Sequence, residues 1–383
     1  SRLGTDFTQE EVMNVFKRLH FQPTYSDGVY TVHIPSHRTD IEGMADLSEE
    51  VIRLIGFDRL PSTLPLMEMT EGKLTPKQQL KRLVRNHFAQ QGLQDSITYT
   101  LISTEKKDNA IFSIGDAVEL SIPISEERRW IRSSILPSLL DVVAYNHARS
   151  MKDVNVFEIS DVASQEKTGT HIAFALSGNL QQTRWAKYVV PSDYYTAKGL
   201  IESLLDRMGI AQARINYQEN TMDTTHFHPY RSAQIMVGKD CVGIFGEIHP
   251  AYGAQTDCKK VVMAELDFDM LLDMKKSKVK FSPISKYQSV NRDLSFVVKE
   301  QVNAQTLVQV IQKQGKVGKE NIIRHVEVFD VYQGAPLLPN EKSVAVSILF
   351  QSDVDTLKDQ QLNEVFQRVV EALENQCQAS IRK

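Results

Sequence analysis

The sequence predicts an α+β protein built from three consecutive parts, and three observations support this fold class. Residues 1–70 carry amphipathic helical stripes around one short strand. Residues 71–274 contain apolar strands with helices between them, and a hairpin turn joins two of the strands, which favours an antiparallel sheet that carries helices. Residues 275–383 begin with a linker and continue in a β-α-β-β-α-β order, which is typical of a ferredoxin-like fold.

The composition limits the class of protein. The hydrophobic (42%) and charged (24%) fractions of the 383 residues are those of an ordinary globular protein with two or three domains. No apolar run reaches the ~18 residues of a membrane-spanning helix, and the start lacks a secretory signal pattern. Three widely spaced cysteines form no metal or redox motif, so we expect a cytoplasmic location. A net charge of −4 argues against a general nucleic-acid binder, so any RNA contact must be local or shared with another subunit.

The first part is predicted to be a small helical module. A short amphipathic helix is expected from Glu10 to Leu19, and a strand from Val29 to His33. In a second helix Asp46 is predicted as the N-cap and Glu49 as its capping-box partner, and Gly56 ends the helix. The apolar stripe of that helix is Leu47, Val51, Leu54 and Ile55, and the module closes with turn residues Pro61, Ser62, Thr63 and Pro65.

Carboxylates are concentrated at the start of the second helix. Asp46, Glu49 and Glu50 are spaced i, i+3 and i+4, so they share one side of the first turn, while Asp40 and Glu42 lie in the preceding loop. Oxygen-only clusters of this kind suit a hard cation such as magnesium. A solvated acidic helix start that complements the helix dipole explains the same spacing, and both interpretations stay open on spacing alone.

The middle part is predicted to begin with a helix. Thr75, Pro76 and Gln78 supply its cap, a proline at its first position and a capping box. Its stripe is Leu80, Leu83, Val84 and Phe88, and Gly92 ends it. A second helix is expected from Leu136 to Arg149. The predicted strands cover 154–160, 172–178, 232–238, 241–247 and 261–268, with a hairpin turn at 238–240.

Three further polar segments are candidate sites. The ERRWIRSS run places Glu127, Arg128, Arg129 and Arg132 together, and charges on a subunit-facing or solvated surface are the favoured interpretation. His226 and His228, with His249 downstream, could bind a metal, but no cysteine lies nearby and the metal interpretation is disfavoured. The basic segment KKSKVKFSPISK (275–286) is either a plain linker or a sequence-independent contact to an RNA backbone.

The last part is predicted to form a split β-α-β fold. Its strands are RDLSFVV, VEVFDVY, SVAVSILF and ASIR. The first helix carries Leu307, Val310 and Ile311 and stops at Gly315. The second helix is predicted to be capped by Thr356 and Asp359, with a stripe of Leu362, Val365, Phe366, Val369 and Leu373.

One face of the predicted sheet is a candidate nucleobase platform. Alternation puts Val344, Val346, Ile348 and Phe350 under the helices and leaves Ser343, Ala345 and Ser347 on the other face. Asp330 and Tyr332 share a face of the preceding strand, while Phe329 and Val331 point the other way. Small residues beside an acid and an aromatic ring suit a stacked, hydrogen-bonded base. The alternative is that Asp330 only caps the turn into Gln333 and Gly334.

Long motifs in all three parts resemble one family, the bacterial phenylalanyl-tRNA synthetase β subunit. They are PSHRTDI and ADLSEEVIRLIGFDRLP in the first part, ERRWIRSSILPSLLDVVAYN, NVFEI, YYTAKGLIESLL, HPYRSAQI and GIFGEIHP in the second, and KYQSVNRDLSFVV, FDVYQG, KSVAVSILFQS and TLKDQQLN in the third. The resemblance implies a small helical (winged-helix-like) module, a class II synthetase-like antiparallel core without an active site, and a ferredoxin-fold anticodon-binding domain. Family β subunits are about twice as long, so the chain is expected to be a C-terminal half that lacks the editing domains.

The resemblance also implies roles for individual residues. Asp40, Asp46, Glu49 and Glu50 match the positions that bind a magnesium ion shared with the α subunit. Asp330, Tyr332 and Ser343 match the positions that read the first anticodon base, a guanine. Where the family commonly has R-R-D, this chain has Asn291-Arg292-Asp293, so a phosphate contact by the first arginine is not expected.

The expected function follows from the resemblance. The chain would be part of a phenylalanine–tRNA ligase, an α2β2 heterotetramer in which the α subunit activates phenylalanine with ATP and transfers it to tRNA(Phe). No catalytic residue is assigned, since the sequence contains no G-x-G-x-x-x-R and the ERRWIRSS run has no R-x-E, the arginine motifs that hold ATP in class II sites. The alternative is a non-catalytic RNA-binding or scaffold protein that acts without an α subunit.

Overall fold

The computed structural model describes residues 2–278 and 281–381 of the chain. Val279 and Lys280 of the predicted linker and Arg382 of the predicted last strand lie outside the described residues. The chain packs into two compact units, residues 1–82 and 83–383. The three-part division at residues 70 and 274 stays a prediction. In the described ranges, no helix is long and apolar enough to cross a membrane.

The first unit combines two packed helices with a hairpin. Its elements are α1 (Gln9–Arg18), β1 (Gln22–Ser26), β2 (Val29–His33), α2 (Met44–Ile55) and the start of α3 (Pro76–Gln90). Thr8 and Glu11 form a capping box at the start of α1. Val15, Phe16, Phe21 and Val51 are buried between the helices and the hairpin. The predicted helix and strand are confirmed, but β1 was not predicted because QPTYS shows no alternation of apolar and polar residues.

The predicted cap of α2 is wrong by three residues. The helix begins at Met44 after Gly43, so Asp46 is its third residue. The Asp46 carboxylate accepts hydrogen bonds from the backbone N–H groups of Gly43 (2.8 Å) and Glu42 (2.9 Å). Asp46 therefore performs the task that was assigned to Glu49, because an acid at the third position reaches back to the N–H groups that precede the helix.

A large sheet forms the centre of the second unit. Between α3 and residue 147, the elements are β3 (Gln94–Asp95), β4 (Leu101–Ile102), α4 (Thr104–Asp108), β5 (Val118–Glu119), β6 (Trp130–Ile131) and α5 (Leu136–His147). The elements that follow are β7 (Val154–Ala163), β8 (Thr168–Ser177), β9 (Asn179–Thr183), β10 (Tyr188–Pro191), α6 (Tyr194–Arg207), β11 (Ile215–Glu219), β12 (Phe227–Val237), β13 (Asp240–Ile248), α7 (Pro250–Gln255), β14 (Val261–Asp267) and α8 (Phe268–Asp273).

The strand order of this sheet, within the described residues, is β11-β12-β13-β14-β8-β7-β3. All neighbours pair antiparallel except β3 and β7, which are parallel. Helix α5 packs on β7 and β8, and α6 packs on β13 and β14. The predicted strands and the antiparallel arrangement are confirmed. The β9–β10 hairpin and helix α6 were not predicted.

The C-terminal part has the predicted ferredoxin-like topology. Its elements are β15 (Val290–Lys299), α9 (Ala304–Lys313), β16 (Lys316–Val317), β17 (Glu320–Asn321), β18 (Ile323–Tyr332), β19 (Glu341–Phe350), α10 (Asp359–Cys377) and β20 (Ser380–Ile381). The sheet order is β18-β19-β15-β20, so the first strand lies between the third and the fourth. Buried side chains of α9 and α10 pack with those of the sheet in one core.

The predicted Thr356–Asp359 cap of the last helix is wrong. Helix α10 begins at Asp359, and the carboxamide oxygen of Gln361 accepts a hydrogen bond from the N–H of Lys358 (3.1 Å). The N–H of Thr356 instead donates to the Asp355 carboxylate (2.7 Å). The N-cap is therefore Lys358, two residues later than predicted, because the Gln361 side chain satisfies the exposed N–H group at that position.

Candidate functional site

Asp330, Tyr332 and Ser343 lie together on one face of the C-terminal sheet. Tyr332 is directly opposite Ser343, and Asp330 is directly opposite Ala345. Directly paired residues of antiparallel strands have their side chains on the same face. The other face of β19 is buried in the helical core and consists of Val344, Val346, Ile348 and Phe350. The predicted sharing of an open face is confirmed, while a role in base recognition stays a prediction.

A β-bulge in β18 produces this arrangement. Val328 is paired with Val346 and Asp330 with Ala345, so Phe329 is an extra residue. Regular alternation would place Asp330 on the same face as Val328, which packs against the core. The extra residue shifts the alternation by one and turns Asp330 and Tyr332 to the open face. The bulge was not predicted.

The carboxylate of Asp330 is available to a ligand. Across the described part of the chain, the structure records no hydrogen bond or ion pair to it. The alternative, in which Asp330 caps the turn into Gln333 and Gly334, therefore has no supporting contact. Both carboxylate oxygens can accept hydrogen bonds from a base.

The ring of Tyr332 is held in position by the turn that follows it. Its hydroxyl donates a hydrogen bond to the carbonyl oxygen of Ala335 at 2.6 Å, and the side chain is 42% exposed. Gly334 sits under this contact with φ +142°, and a Cβ there would lie 3.1 Å from the Tyr332 hydroxyl. A ring fixed at its hydroxyl end and open elsewhere is suited to stacking.

Ser343 forms the floor of the site. It is only 5% exposed, and its hydroxyl lies 3.5 Å from that of Ser295 on β15. Ser295 faces the same side, since it is paired with Ala345. It is a site residue that was not predicted, although alternation within RDLSFVV could have placed it there. Arg292 faces the helices, with its guanidinium 5.8 Å from the centre of the Phe366 ring.

The acidic segment of the first unit is organised by an arginine. Arg38 donates from Nε to Asp40 (2.9 Å) and from Nη2 to both Asp40 (2.6 Å) and Glu50 (2.8 Å). Glu50 is 7% exposed and also accepts a hydrogen bond from Arg53 (2.5 Å). Arg38 was not singled out by the sequence analysis, although it lies two residues before Asp40.

These contacts change the acidity of both carboxyls. The hydrogen bond from Arg38 lowers the pKa of Asp40 from 3.8 to about 2. Burial alone would raise the pKa of Glu50, but the hydrogen bonds and charges of Arg38 and Arg53 outweigh burial and lower it. Both groups are therefore ionised at neutral pH, with arginine as their counter-charge.

The four predicted magnesium ligands do not form an ion site as they are arranged here. Arg38 binds Asp40 and Glu50, Asp46 accepts two backbone N–H groups, and Glu49 is exposed without a recorded contact. Among the described residues, no three His, Cys, Asp or Glu side chains are grouped so that they could hold a metal. A metal could use these carboxylates only after Arg38 has moved.

The arginines of the ERRWIRSS run are all engaged by the chain itself. Arg128 stacks on Tyr99 at 3.7 Å and donates to the carbonyl oxygen of Leu101 (3.0 Å), and Arg129 pairs with Glu119 (2.7 Å) and Glu126. The expectation of a surface position is wrong for Arg132, which is fully buried. It pairs with the buried Glu158 at 2.6 Å, and Thr98 bonds to both partners. These contacts leave the run little capacity to hold a phosphate.

The three candidate histidines have separate structural tasks. His226 bonds to Asp223 (2.7 Å) and Asn109 (3.3 Å), and His249 accepts the N–H of Ala251 at the start of α7. His228 accepts the N–H of Tyr230. The structure therefore gives no support to a metal at these residues.

A buried carboxylate that the sequence analysis did not single out ties the large sheet to α5. Glu265 on β14 accepts hydrogen bonds from the Ser134 hydroxyl (2.8 Å) and the Ile135 N–H (3.0 Å), and its other neighbour is the His171 ring (2.7 Å). All of these groups are buried. Glu265 thus accepts hydrogen bonds from the otherwise unpaired N–H groups at the start of α5, inside the core.

The first residues of the basic segment 275–286 pack against other parts of the second unit, to which they belong. The N–H of Ser277 donates to the carbonyl oxygen of Gly209 (2.7 Å), and Arg214 donates to that of Lys275 (2.8 Å). Burial lowers the pKa of Lys276. A contact of this segment with RNA stays a prediction.

Comparison with known families gives a match in each part of the chain. Residues 1–57 match the tRNA synthetase B5 domain, residues 60–268 match the phenylalanyl tRNA synthetase beta chain CLM domain, and residues 285–382 match the ferredoxin-fold anticodon binding domain. The second match alone covers more than half of the chain.

Individual relatives agree with these matches. The chain is 36% identical to the phenylalanine--tRNA ligase beta subunits of Geobacillus kaustophilus and Bacillus licheniformis over 99% of its length, and 35% identical to that of Bacillus subtilis over all of it. It covers 47% of each relative, so it spans about half of their length. A solved pyrrolysyl-tRNA synthetase from Desulfitobacterium hafniense aligns with 51% of the chain and 68% of its own at 14% identity and a TM-score of 0.39, which is too low to carry an argument.

The match of residues 60–268 therefore settles the family, and the relatives and the two flanking matches agree with it. The chain belongs to the phenylalanyl-tRNA synthetase beta chain family.

Proposed function

We propose that this chain provides anticodon binding and an α-facing scaffold in a phenylalanine–tRNA ligase. In the complete α2β2 enzyme, which we place in the cytoplasm, phenylalanine is activated with ATP and attached to tRNA(Phe), with the chemistry in the α subunit. The observation that carries the proposal is the gathering of Asp330, Tyr332 and Ser343 on the open face of the matched anticodon-binding domain. We assign the first unit to a winged-helix-like module and the large sheet to a class II synthetase-like core without an active site.

The open face suits guanine better than the other bases. Guanine alone presents two adjacent donors, N1–H and the exocyclic amine, on its pairing edge. A carboxylate accepts both at once, and a good bidentate contact discriminates by about 1–3 kcal/mol per base. Asp330 would accept these donors, the Tyr332 ring would stack on the base, and Ser343 would support it from below.

The test is aminoacylation by the chain reconstituted with the α subunit. Transcripts of tRNA(Phe) with guanine or adenine at the first anticodon position are compared, and pyrophosphate exchange normalises for the amount of active enzyme. Asp330→Asn should narrow the preference for guanine by about fivefold or more, because it removes one of two acceptors. Glu327→Gln is the matched control: it removes an exposed carboxylate from the same face of β18 and should leave the preference unchanged.

An unchanged guanine preference in Asp330→Asn would refute this assignment of the anticodon site. Binding of tRNA(Phe) by the chain without any association with an α subunit would instead favour the alternative, an RNA-binding or scaffold protein that acts alone.

Exposed apolar side chains support the proposal of an α partner. Ile97, Tyr99, Ile122 and Ile124 in the second unit are all largely exposed. They form two pairs of near neighbours in the sequence, and contiguous exposed apolar side chains mark protein interaction sites. Co-purification of the chain with a tagged α subunit tests the partnership. Ile122→Ser with Ile124→Ser should weaken the association, and the matched control Val354→Ser, an exposed apolar residue far away in the sequence, should not.

We also propose that Asp40, Asp46, Glu49 and Glu50 bind magnesium once Arg38 has released its two carboxylates. Arg38→Met should then tighten magnesium binding to the chain, measured by calorimetric titration, and adding Glu49→Gln should weaken it again. Glu49 is the better probe than Glu50, since it holds no structural contact. Arg59→Met removes a separate arginine–glutamate pair of this unit, Arg59–Glu11, and should leave magnesium binding unchanged. If Arg38→Met binds magnesium no more tightly than the unsubstituted chain, the solvated acidic helix is the correct interpretation.

A further inference from the structure

The β9–β10 hairpin carries a basic and aromatic tip that the proposed function does not use. Tyr188 is paired with Thr183, and residues 184–187 connect the two strands. The N–H of Lys187 donates to the carbonyl oxygen of Arg184 at 3.2 Å, which closes the turn. The hairpin forms its own two-stranded sheet beside the large one.

The base of the hairpin is firmly attached. The N–H of Asn179 donates to the Asp153 carboxylate (2.8 Å), and the side chain of Asn155 donates to the Asn179 carbonyl oxygen (2.9 Å). At the other end of the hairpin, the N–H of Ser192 donates to the carbonyl oxygen of Gly178 (2.9 Å). The tip is therefore presented on a fixed support.

The tip itself combines an aromatic ring with unpaired cations. Trp185 is 90% exposed, and Tyr188 is exposed beside it. Arg184 and Lys187 are exposed, and across the described residues neither makes an ion pair. The sequence from 178 to 192 contains no Asp or Glu, although the chain as a whole carries a net charge of −4. The hairpin is thus a local positive site on a negatively charged protein.

This chemistry favours a nucleic acid over a protein partner. A stable protein interface buries roughly 800 Å² on each side around an apolar centre, and one ring on a four-residue turn offers far less. Proteins that hold single-stranded RNA instead combine an aromatic ring that stacks on a base with cations that neutralise the adjacent phosphates. Stacking also tolerates any base, so such a contact adds affinity without adding sequence preference.

We infer that the β9–β10 tip is a second RNA contact, in which Trp185 stacks on an unpaired base while Arg184 and Lys187 neutralise phosphates. The identity of that RNA as tRNA rests on the proposed function. The contact differs from the anticodon site in being insensitive to the base, and a small protrusion of this kind suits a loop or an end of the RNA.

The test uses fluorescence titration of the chain with a tRNA(Phe) transcript. The chain has two tryptophans, and the indole N–H of Trp130 is bonded to Thr104, so the exposed Trp185 is the one open to a base. We expect RNA to quench its emission. Trp185→Ala should abolish this signal and weaken binding, followed by filter binding, about fivefold or more. Arg184→Ala with Lys187→Ala should lower the slope of log affinity against log salt by about 1.4, or ~0.7 per phosphate contact.

Matched controls separate this site from general surface effects. Tyr230→Ala removes another aromatic ring that is 90% exposed, and Lys259→Ala with Lys260→Ala removes two other exposed cations; both should bind RNA as the unsubstituted chain does. Wild-type affinity and salt slope in the Trp185 and Arg184/Lys187 variants would overturn the inference and leave the anticodon test of Asp330 unaffected. Loss of association with the α subunit, with RNA affinity retained, would make the tip a protein contact instead. Failure of the unsubstituted chain to bind any tRNA would overturn both this inference and the proposed function.

Discussion

Arg38 determines how the first unit responds to acid. It bonds to Asp40 and to the buried Glu50, and the pKa of each carboxyl lies below its ordinary value because of the hydrogen bonds and charge that arginine supplies. A carboxyl whose pKa is lower in the folded state stabilises the fold above its unfolded pKa, and that stabilisation disappears as the pH falls through the folded value.

We expect Arg38→Met to destabilise the first unit at neutral pH and to lose this effect in acid. The difference from the unsubstituted chain should be constant above about pH 5, shrink as the pH falls below the ordinary Glu and Asp values of 4.5 and 3.8, and vanish only below about pH 2. Hydrogen exchange of the α1 and α2 amides measures the local free energy of opening. A difference that persists unchanged to about pH 2 would contradict the pairing.

Lys73→Met is the control for the Arg38→Met experiment. Lys73 pairs with Glu71 at 2.8 Å, but both side chains are largely exposed. Exposed pairs of this kind contribute little to stability, so no change is expected at any pH.

The sequence predicted single residues well where alternation governs and poorly where tertiary contact does. Asp330 and Tyr332 were placed on one face because strand periodicity is local, but the bulge at Phe329 that turns this face away from the core was not predicted. The pairing of Arg38 with Glu50, twelve residues away, depends on how a loop meets a helix, and no periodic pattern reports it. The burial of Arg132 with Glu158 was missed for the same reason.

Strands β13 and β14 approach so closely at Gly243 that β13 has no room for a side chain at this position. A Cβ on Gly243 would lie 2.5 Å from the carbonyl oxygen of Glu265 and 2.9 Å from the Leu266 side chain. We expect Gly243→Ala to lower the free energy of unfolding by about 1–3 kcal/mol, since the strands must separate and Glu265 is bonded to the start of α5. Urea denaturation measures the change.

Gly199→Ala is the matched substitution in a helix. Gly199 lies inside α6, and apart from the neighbouring backbone of that helix no atom lies within 4 Å of a Cβ built on it. The variant should be more stable by up to about 1 kcal/mol, because alanine loses less conformational freedom in a helix. Equal effects of the two variants would show that the close approach at Gly243 has no consequence.

Whole elements were predictable where their pattern is strong. The apolar strands β7, β8, β12, β13 and β14 and the striped helices are present with shifts of a few residues at their ends. The β9–β10 hairpin was not predicted because NLQQT has no apolar alternation. The Thr75–Gln78 capping box of α3 is confirmed, but the caps of α2 and α10 were misplaced because several adjacent polar residues could each have served.

At the scale of the whole molecule, we expect the chain alone to be catalytically inert. Each arginine of the ERRWIRSS run is occupied by protein groups, and the sequence offers no glycine-rich arginine motif to hold ATP. Phenylalanine-dependent pyrophosphate exchange by the purified chain should not exceed that of a mock preparation. Exchange above that background by the chain alone would show that the second unit retains adenylate-forming activity. Adding an α subunit should restore exchange.

The order of the ferredoxin-like sheet and the antiparallel core followed from the sequence because both depend on the succession of elements. The arrangement of the acidic segment in the first unit did not follow from the sequence, because it depends on which of several nearby cations pairs with each carboxylate. The residue pattern shows the position of an acidic residue in the sequence, but the folded structure determines which cation or N–H group it pairs with.

The arginine that neutralises the acidic segment is part of the chain, and this has a consequence for any ion that competes with it. A group tethered through a short loop is present at an effective concentration in the millimolar range, whatever the composition of the solution. A free divalent ion must therefore compete with the guanidinium of Arg38 for the carboxylates. The site would fill only above a threshold concentration of the ion, and not at trace concentrations. A partner that binds Arg38 would remove this competitor and lower the threshold. Contact with a neighbouring molecule would then raise the metal affinity of the first unit.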